Sequence, residues 1–219
     1  MLDLHISIPL LRPLIGFFLF LFLIYLIYLF ITRAFREMGF SPLEALFIVF
    51  VAFLFQSVNI YLFSYKNWLV SMNVGGGLIP ILLSIYLCIK KGLSAWKILL
   101  GTIIVAFSAY SVTYPEPNKG IVSPFPFFLI PALFASVYSI FSYWNDRSRA
   151  GPLAYVSGTF GVLIGADLFH LSELMSYHVS KPRCAVIGGA AIFDMVFITG
   201  LIAVFIDSIL LFGKKRETI

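Results

Sequence analysis

The sequence predicts an all-α, polytopic membrane helix bundle with seven transmembrane helices, and three observations predict it. First, 61% of the 219 residues are hydrophobic and only 11% are charged, against about 25% in a typical soluble domain. So few charges cannot cover a water-facing surface. Second, seven apolar runs approach the ~20 residues a helix needs to span a bilayer. Third, the charges collect in the short joints between those runs.

Taken in order, the runs are about 13–32, 43–65, 68–89, 95–114, 123–144, 152–171 and 185–213. The joints are "RAFREMGFSP", "KN", "KKGLS", "PEPNKG", "NDRSRAG", "SELMSYHVSKPRC" and the tail "KKRETI". The first run is nearly unbroken, and no small-residue cleavage site follows it, so it reads as a retained helix with "MLDLHISIPLL" lying at the interface ahead of it. The last run is long, and Gly188-Gly189 marks a break near one end. Seven spans put the termini on opposite sides. One side receives Arg33, Arg36, Lys90, Lys91, Lys97, Arg147, Arg149, Lys214, Lys215 and Arg216. The other receives Arg12, Lys66, Lys119, Lys181 and Arg183. The richer side is cytoplasmic by the positive-inside rule, which places the N-terminus outside and the C-terminus in the cytoplasm of a cell-membrane protein.

The whole chain is one transmembrane domain with a possible 3+1+3 parallel repeat. Its halves are 13–89 and 123–213, and the linker helix is 95–114. "SVNIYLF" is matched by "IGADLFH", and "NVGGGLIP" by "VIGGAAIF". Repeats of this kind occur in transporters, with the site near the interface between halves.

Two carboxylates stand out inside apolar runs, Asp167 and Asp194, each costing about 2.5–3.5 kcal/mol in lipid on insertion scales. Asn59 and Asn73 fall in the same outer layer, and Asn59 takes the place of Asp167 in the repeat. Four polar side chains approaching one layer signal a cavity that binds substrate or protons. His170 follows Asp167 by three residues on the same helical face, where the two could share a hydrogen bond. Gly158, Gly161 and Gly165 form a stripe that lets another helix approach closely. Gly75-Gly76-Gly77, with Pro80 behind, and Gly188-Gly189 are poor helix formers, tolerable where backbone lines a cavity. Asp207 and Glu44 are read as end-of-helix carboxylates that reach water. Asp167, His170, Glu173 and His178 can be drawn as a metal site, but Glu173 is off the shared face and His178 is in a loop. No metal and no cofactor are expected. Cys88 and Cys184 sit at opposite helix ends, too far apart for a disulfide. The basic residues sit in loops between apolar runs, which argues against nucleic acid. The partners expected are the lipid bilayer and an unknown small solute or peptide, and an oligomer is possible.

"NVGGGLIP", "GTFGVLIGADL" and "IGGAAIFDMVFITG" resemble, in this order, the signature segments of the prokaryotic membrane proteins grouped as domain-of-unknown-function family 1614. The resemblance covers about half the chain. It implies that Asn73, Gly75, Gly76, Asp167, Gly188, Gly189 and Asp194 belong to the family pattern. Tyr61 stands where a proline is usual, and Phe169-His170 replaces Leu-Asn. The family brings no activity, so function rests on the site. The main reading is a small-solute transporter, with proton coupling as an option, whose three-plus-one-plus-three plan resembles SWEET-type carriers. There Asn59 and Asp167 would face each other across a pseudo-twofold axis. The alternative is an intramembrane aspartyl hydrolase with Asp167 and Asp194 catalytic. "GAD", "FD" and the "IPAL" tripeptide resemble presenilin-type motifs, but their order differs. A third reading is a non-catalytic receptor or scaffold.

Overall fold

Apolar runs become uninterrupted helices only where no glycine cluster or strand-forming stretch intervenes. The computed structural model describes residues 8–189 and 194–210. Residues 1–7 of the interfacial segment and the basic tail therefore lie outside the described residues. α1 (Ile8–Met38) leads to α2 (Pro42–Leu54). The start of α2 is set by a capping box, in which the Glu44 N–H donates to Ser41 Oγ and the Ser41 N–H to Glu44 Oε2, with Pro42 opening the helix. Exposed Glu44 thus has a local capping role.

The chain then departs from the predicted second and third spans. α2 stops at Leu54, and Asn59–Tyr65 forms β1, paired antiparallel with β2 (Trp68–Asn73). Lys66, at φ +51°, turns the hairpin, the left-handed geometry that two-residue turns require. The "KN" joint is therefore a β-turn. A window of apolar residues measures hydrophobicity and not period, and the aromatic and β-branched content of "NIYLFSY" suits a strand. One π turn (Val74–Leu78) follows, then α3 (Ile79–Lys91), which ends at the left-handed Gly92.

α4 (Ala95–Val112) precedes a small hairpin of β3 (Tyr114–Glu116) and β4 (Gly120–Val122). α5 (Ile130–Ser142), α6 (Arg147–Val162), a second π turn (Leu163–Leu168) and α7 (Phe169–Ser176) complete the middle of the bundle. The predicted last span also breaks. Its start belongs to β5 (Arg183–Ile187), parallel to β2 in a sheet ordered β1-β2-β5, and the described helix, α8, covers Met195–Leu210.

Among the described residues, four helices are long and apolar enough to cross a membrane: Pro13–Met38, Val74–Lys91, Ala95–Val112 and Arg147–Ser176. Pro42–Leu54, Phe127–Ser142 and Met195–Leu210 are apolar but shorter. α1 exposes every residue from Pro13 to Leu29, a surface that only an apolar surrounding accommodates. α6 is its opposite, buried almost all round and packed on α3, α4, α5 and α8. Its run of Ala, Gly, Ser and Thr is what permits four neighbours at close range.

Candidate functional site

At the end of the bundle that carries the sheet, a cleft of about 660 Å³ opens between β5, the β3–β4 turn and the end of α6. Asp167 and Asp194 both line it, with Trp68, Arg183 and Gly189 among the other walls. Each carboxylate is placed where regular α-helix breaks or begins. Asp167 sits in the π turn that continues α6, and its Oδ2 accepts a long bond of 3.3 Å from the Gly188 N–H. Gly188 has φ +70°, and a Cβ there would fall 2.6 Å from the Gly77 nitrogen, so only glycine fits both the turn and the contact. Asp194 stands at the start of α8, its Oδ1 accepting from the Val196 N–H at 2.8 Å, as an N-cap carboxylate does. The two acids are close enough to act on each other electrostatically. At the mouth, Arg183 Nη1 donates to the Asn118 side chain and the Pro117 carbonyl, and Lys119 pairs with Glu116 at 3.1 Å.

The predicted asparagines go elsewhere. Asn59 opens β1 directly opposite Asn73 of β2 and is not among the residues that line the cleft with Asp167. Asn73 Nδ2 donates to Asn59 Oδ1 at 2.8 Å and to the Gln56 carbonyl at 2.7 Å, while its Oδ1 accepts from the Gly76 N–H. This asparagine binds the hairpin to the turn that starts α3. His170 also differs. It is buried, stacks on Tyr110 at 4.5 Å, and places its ring nitrogens 3.4 Å from Glu173 Oε2 and from the Tyr110 carbonyl. The shared face expected with Asp167 assumes regular 3.6-residue turns, and the intervening π turn changes that phase. It is Glu173, expected off the face, that reaches His170. Among the described residues no three His, Cys, Asp or Glu side chains gather as a metal-holding group, and Cys88 and Cys184 are free thiols.

The glycines work as close-packing points. A Cβ on Gly165 would sit 2.1 Å from the Ala106 carbonyl oxygen, and one on Gly161 2.4 Å from Val105, so both press on α4. Gly158 instead meets Gly200 of α8, 3.2 Å from its Cα. The stripe therefore serves two neighbours, because Gly158 and Gly161 differ by 60° around an ideal helix. Gly75 abuts the Ala52 carbonyl, Gly77 faces Ile187 and Gly188, and Pro80 lies in the first turn of α3. Gly75, Gly76 and Gly77 are packed in backbone and do not line the cleft, as Gly189 does.

Asp207 was expected to reach water, yet it is 1% exposed. Ser136 and Ser139 of α5 donate to its Oδ1 and Oδ2 at 2.5 and 2.7 Å. The signal was present in the sequence: Ser136 and Ser139 share a helical face, and a bundle core can supply an end-of-helix carboxylate with hydroxyl donors.

Residues 26–206 match the model of a family described as protein of unknown function (DUF1614). The chain belongs to this family. The matched span contains the whole cleft and both of its acids. No curated protein and no solved structure matches the chain.

Proposed function

We propose that this member of the family is a small-solute transporter of the cell membrane, coupled to protons through Asp167 and Asp194. The observation that carries the reading is the acid pair lining one cleft, set beside two interrupted segments. β2 with the glycines before α3 and β5 with Gly188 run parallel as neighbours, and the glycine turns touch. Paired Gly-interrupted segments in the two halves of a chain point to a transporter's binding site. Two carboxylates in electrostatic range share protons more readily than either would alone. Loading and release of a proton can therefore accompany the movement of a solute.

Seven segments, with the shorter helices completing their crossings through strands and turns, set the cleft outside. Basic residues at the other end support that direction. Lys91 packs on Gly39, Lys97 Nζ donates to the Ser142 carbonyl, and Arg149 lies near Tyr143.

A second reading, hydrolysis of an extended peptide, is favoured by the sheet. β5 is an edge strand and its consecutive residues line the cleft beside the acid pair, where a peptide strand could add. One experiment separates them. Right-side-out proteoliposomes are offered labelled neutral amino acids and sugars under an inward proton gradient, and in parallel a fluorogenic apolar peptide. Gradient-driven accumulation should be lost in Asp167→Asn and after an impermeant maleimide reaches exposed Cys184 from outside. Asp167-dependent peptide cleavage without accumulation transfers the case to the hydrolase, and neither activity ends both readings.

A further inference from the structure

Arg183 lines the cleft as a cation held by neutral oxygens alone. It opens β5, where its backbone N–H donates to the Asn67 carbonyl at 2.8 Å. Its Nη1 donates to Asn118 Oδ1 at 2.7 Å and to the Pro117 carbonyl, both in the β3–β4 turn. The acid of that turn, Glu116, is engaged by Lys119. Among the described residues no carboxylate pairs with Arg183, and its Nε and Nη2 make no hydrogen bond. A guanidinium fixed this way keeps its full charge. Its Nε–Nη2 edge is a two-pronged donor whose spacing matches the two oxygens of a carboxylate.

The rest of the cleft gives that charge a direction. β5 runs from Arg183 to Ile187, about 13 Å at the rise of a parallel strand, and the next residue, Gly188, donates to Asp167. The cation and the acid pair therefore stand at opposite ends. Trp68, Leu171, Leu174 and Ile187 line the cleft between them. A negative group is drawn to the Arg183 end and repelled from the other, and the apolar walls suit a body without charge. A sugar would leave the guanidinium without a counter-ion.

We infer that Arg183 recognises the solute, and that this solute is a small carboxylate with an apolar body, such as an apolar amino acid. The carboxylate sits on Nε and Nη2, the body lies against Trp68 and Leu171, and the acid pair holds its proton at the far end. The assignment rests on the transport reading, whose solutes it narrows to those bearing a carboxylate.

The test is calorimetric titration of the purified full-length protein with leucine, phenylalanine and 4-methyl-2-oxopentanoate, and with leucinamide, leucinol and glucose. The three carboxylates should bind and the other three should not. Arg183→Gln should weaken binding about 10–100-fold, the range for losing charge-assisted hydrogen bonds. Arg183→Lys, which keeps the charge without the fork, should lose less. Lys181→Gln removes an exposed cation that does not line the cleft and should bind like the parent. Thermal melting identifies any variant that fails to fold. Leucinamide or leucinol binding as tightly as leucine overturns the assignment, as does no carboxylate binding at all. So does Arg183→Gln binding like the parent, or an equal loss in Lys181→Gln. Asp167-dependent accumulation of a sugar, with no carboxylate bound, would overturn the assignment and leave the transport reading standing. Arg183-dependent carboxylate binding with no solute accumulated in proteoliposomes would keep the site and remove transport.

Discussion

The two ends of the α6–α8 seam hold carboxylates in contrasting surroundings. At one end Asp207 is enclosed, with a serine hydroxyl on each oxygen. At the other, Asp167 receives one long backbone bond and lines a cleft together with a second acid. Hydroxyl donors on both oxygens fix a carboxyl in place. A like-charged neighbour at an opening makes its protonation state responsive to whatever enters. The partners, more than depth in the bundle, divide a supported acid from a working one.

The strongest way to break this comparison is to disturb the packing that holds the cleft end. Gly165→Leu would drive a side chain into the Ala106 backbone, which cannot move aside as a side chain could. Overpacking costs roughly 1–3 kcal/mol, and a backbone clash belongs at or above the upper figure. Melting in detergent should fall sharply, while Gly16→Leu, with nothing within 4 Å, should melt like the parent. Equal melting of the two would mean that the cleft end does not depend on α4.

The next test compares the two ends directly. Ser136→Ala combined with Ser139→Ala removes both donors to Asp207 and should cost about 2–4 kcal/mol, since each lost bond to a buried acid is worth about 1–2 kcal/mol or more. Asp167→Asn keeps an oxygen for the Gly188 N–H and should stay within about 0.5 kcal/mol of the parent, in the range of well-tolerated substitutions. Similar losses at both ends would erase the distinction.

How much of this was legible beforehand depends on what each residue's role requires. Membrane character, the prominence of Asp167 and Asp194, and the grouping of basic residues at one end follow from composition and position, which a sequence displays directly. The strands did not, because "NIYLFSY" and "WLVSMN" are as apolar as a helix of the same length and their pairing is a long-range event. Parallel pairing of β2 with β5 brings together residues more than a hundred positions apart. The partners of His170 were hidden by a π turn that no apolar periodicity marks. Asp207 was misread because distance from a helix end was taken for access to water, when the serines of α5 close over it.

The smallest expected effect is the most discriminating, because Asp194 has two roles that a single substitution can separate. As the N-cap of α8 it accepts from the Val196 N–H, a task asparagine performs about as well as aspartate. As a member of the acid pair it must carry a proton, which asparagine cannot do. Asp194→Asn should therefore shift stability by only a few tenths of a kcal/mol, while Asp194→Ala, which loses the cap, costs about 1 kcal/mol. Proton-driven uptake should be lost in both. Full uptake in the asparagine variant would reduce Asp194 to a helix cap and leave Asp167 as the single working acid of the cleft. The contrast between the two ends of the seam would then rest on exposure to the cleft rather than on paired charge.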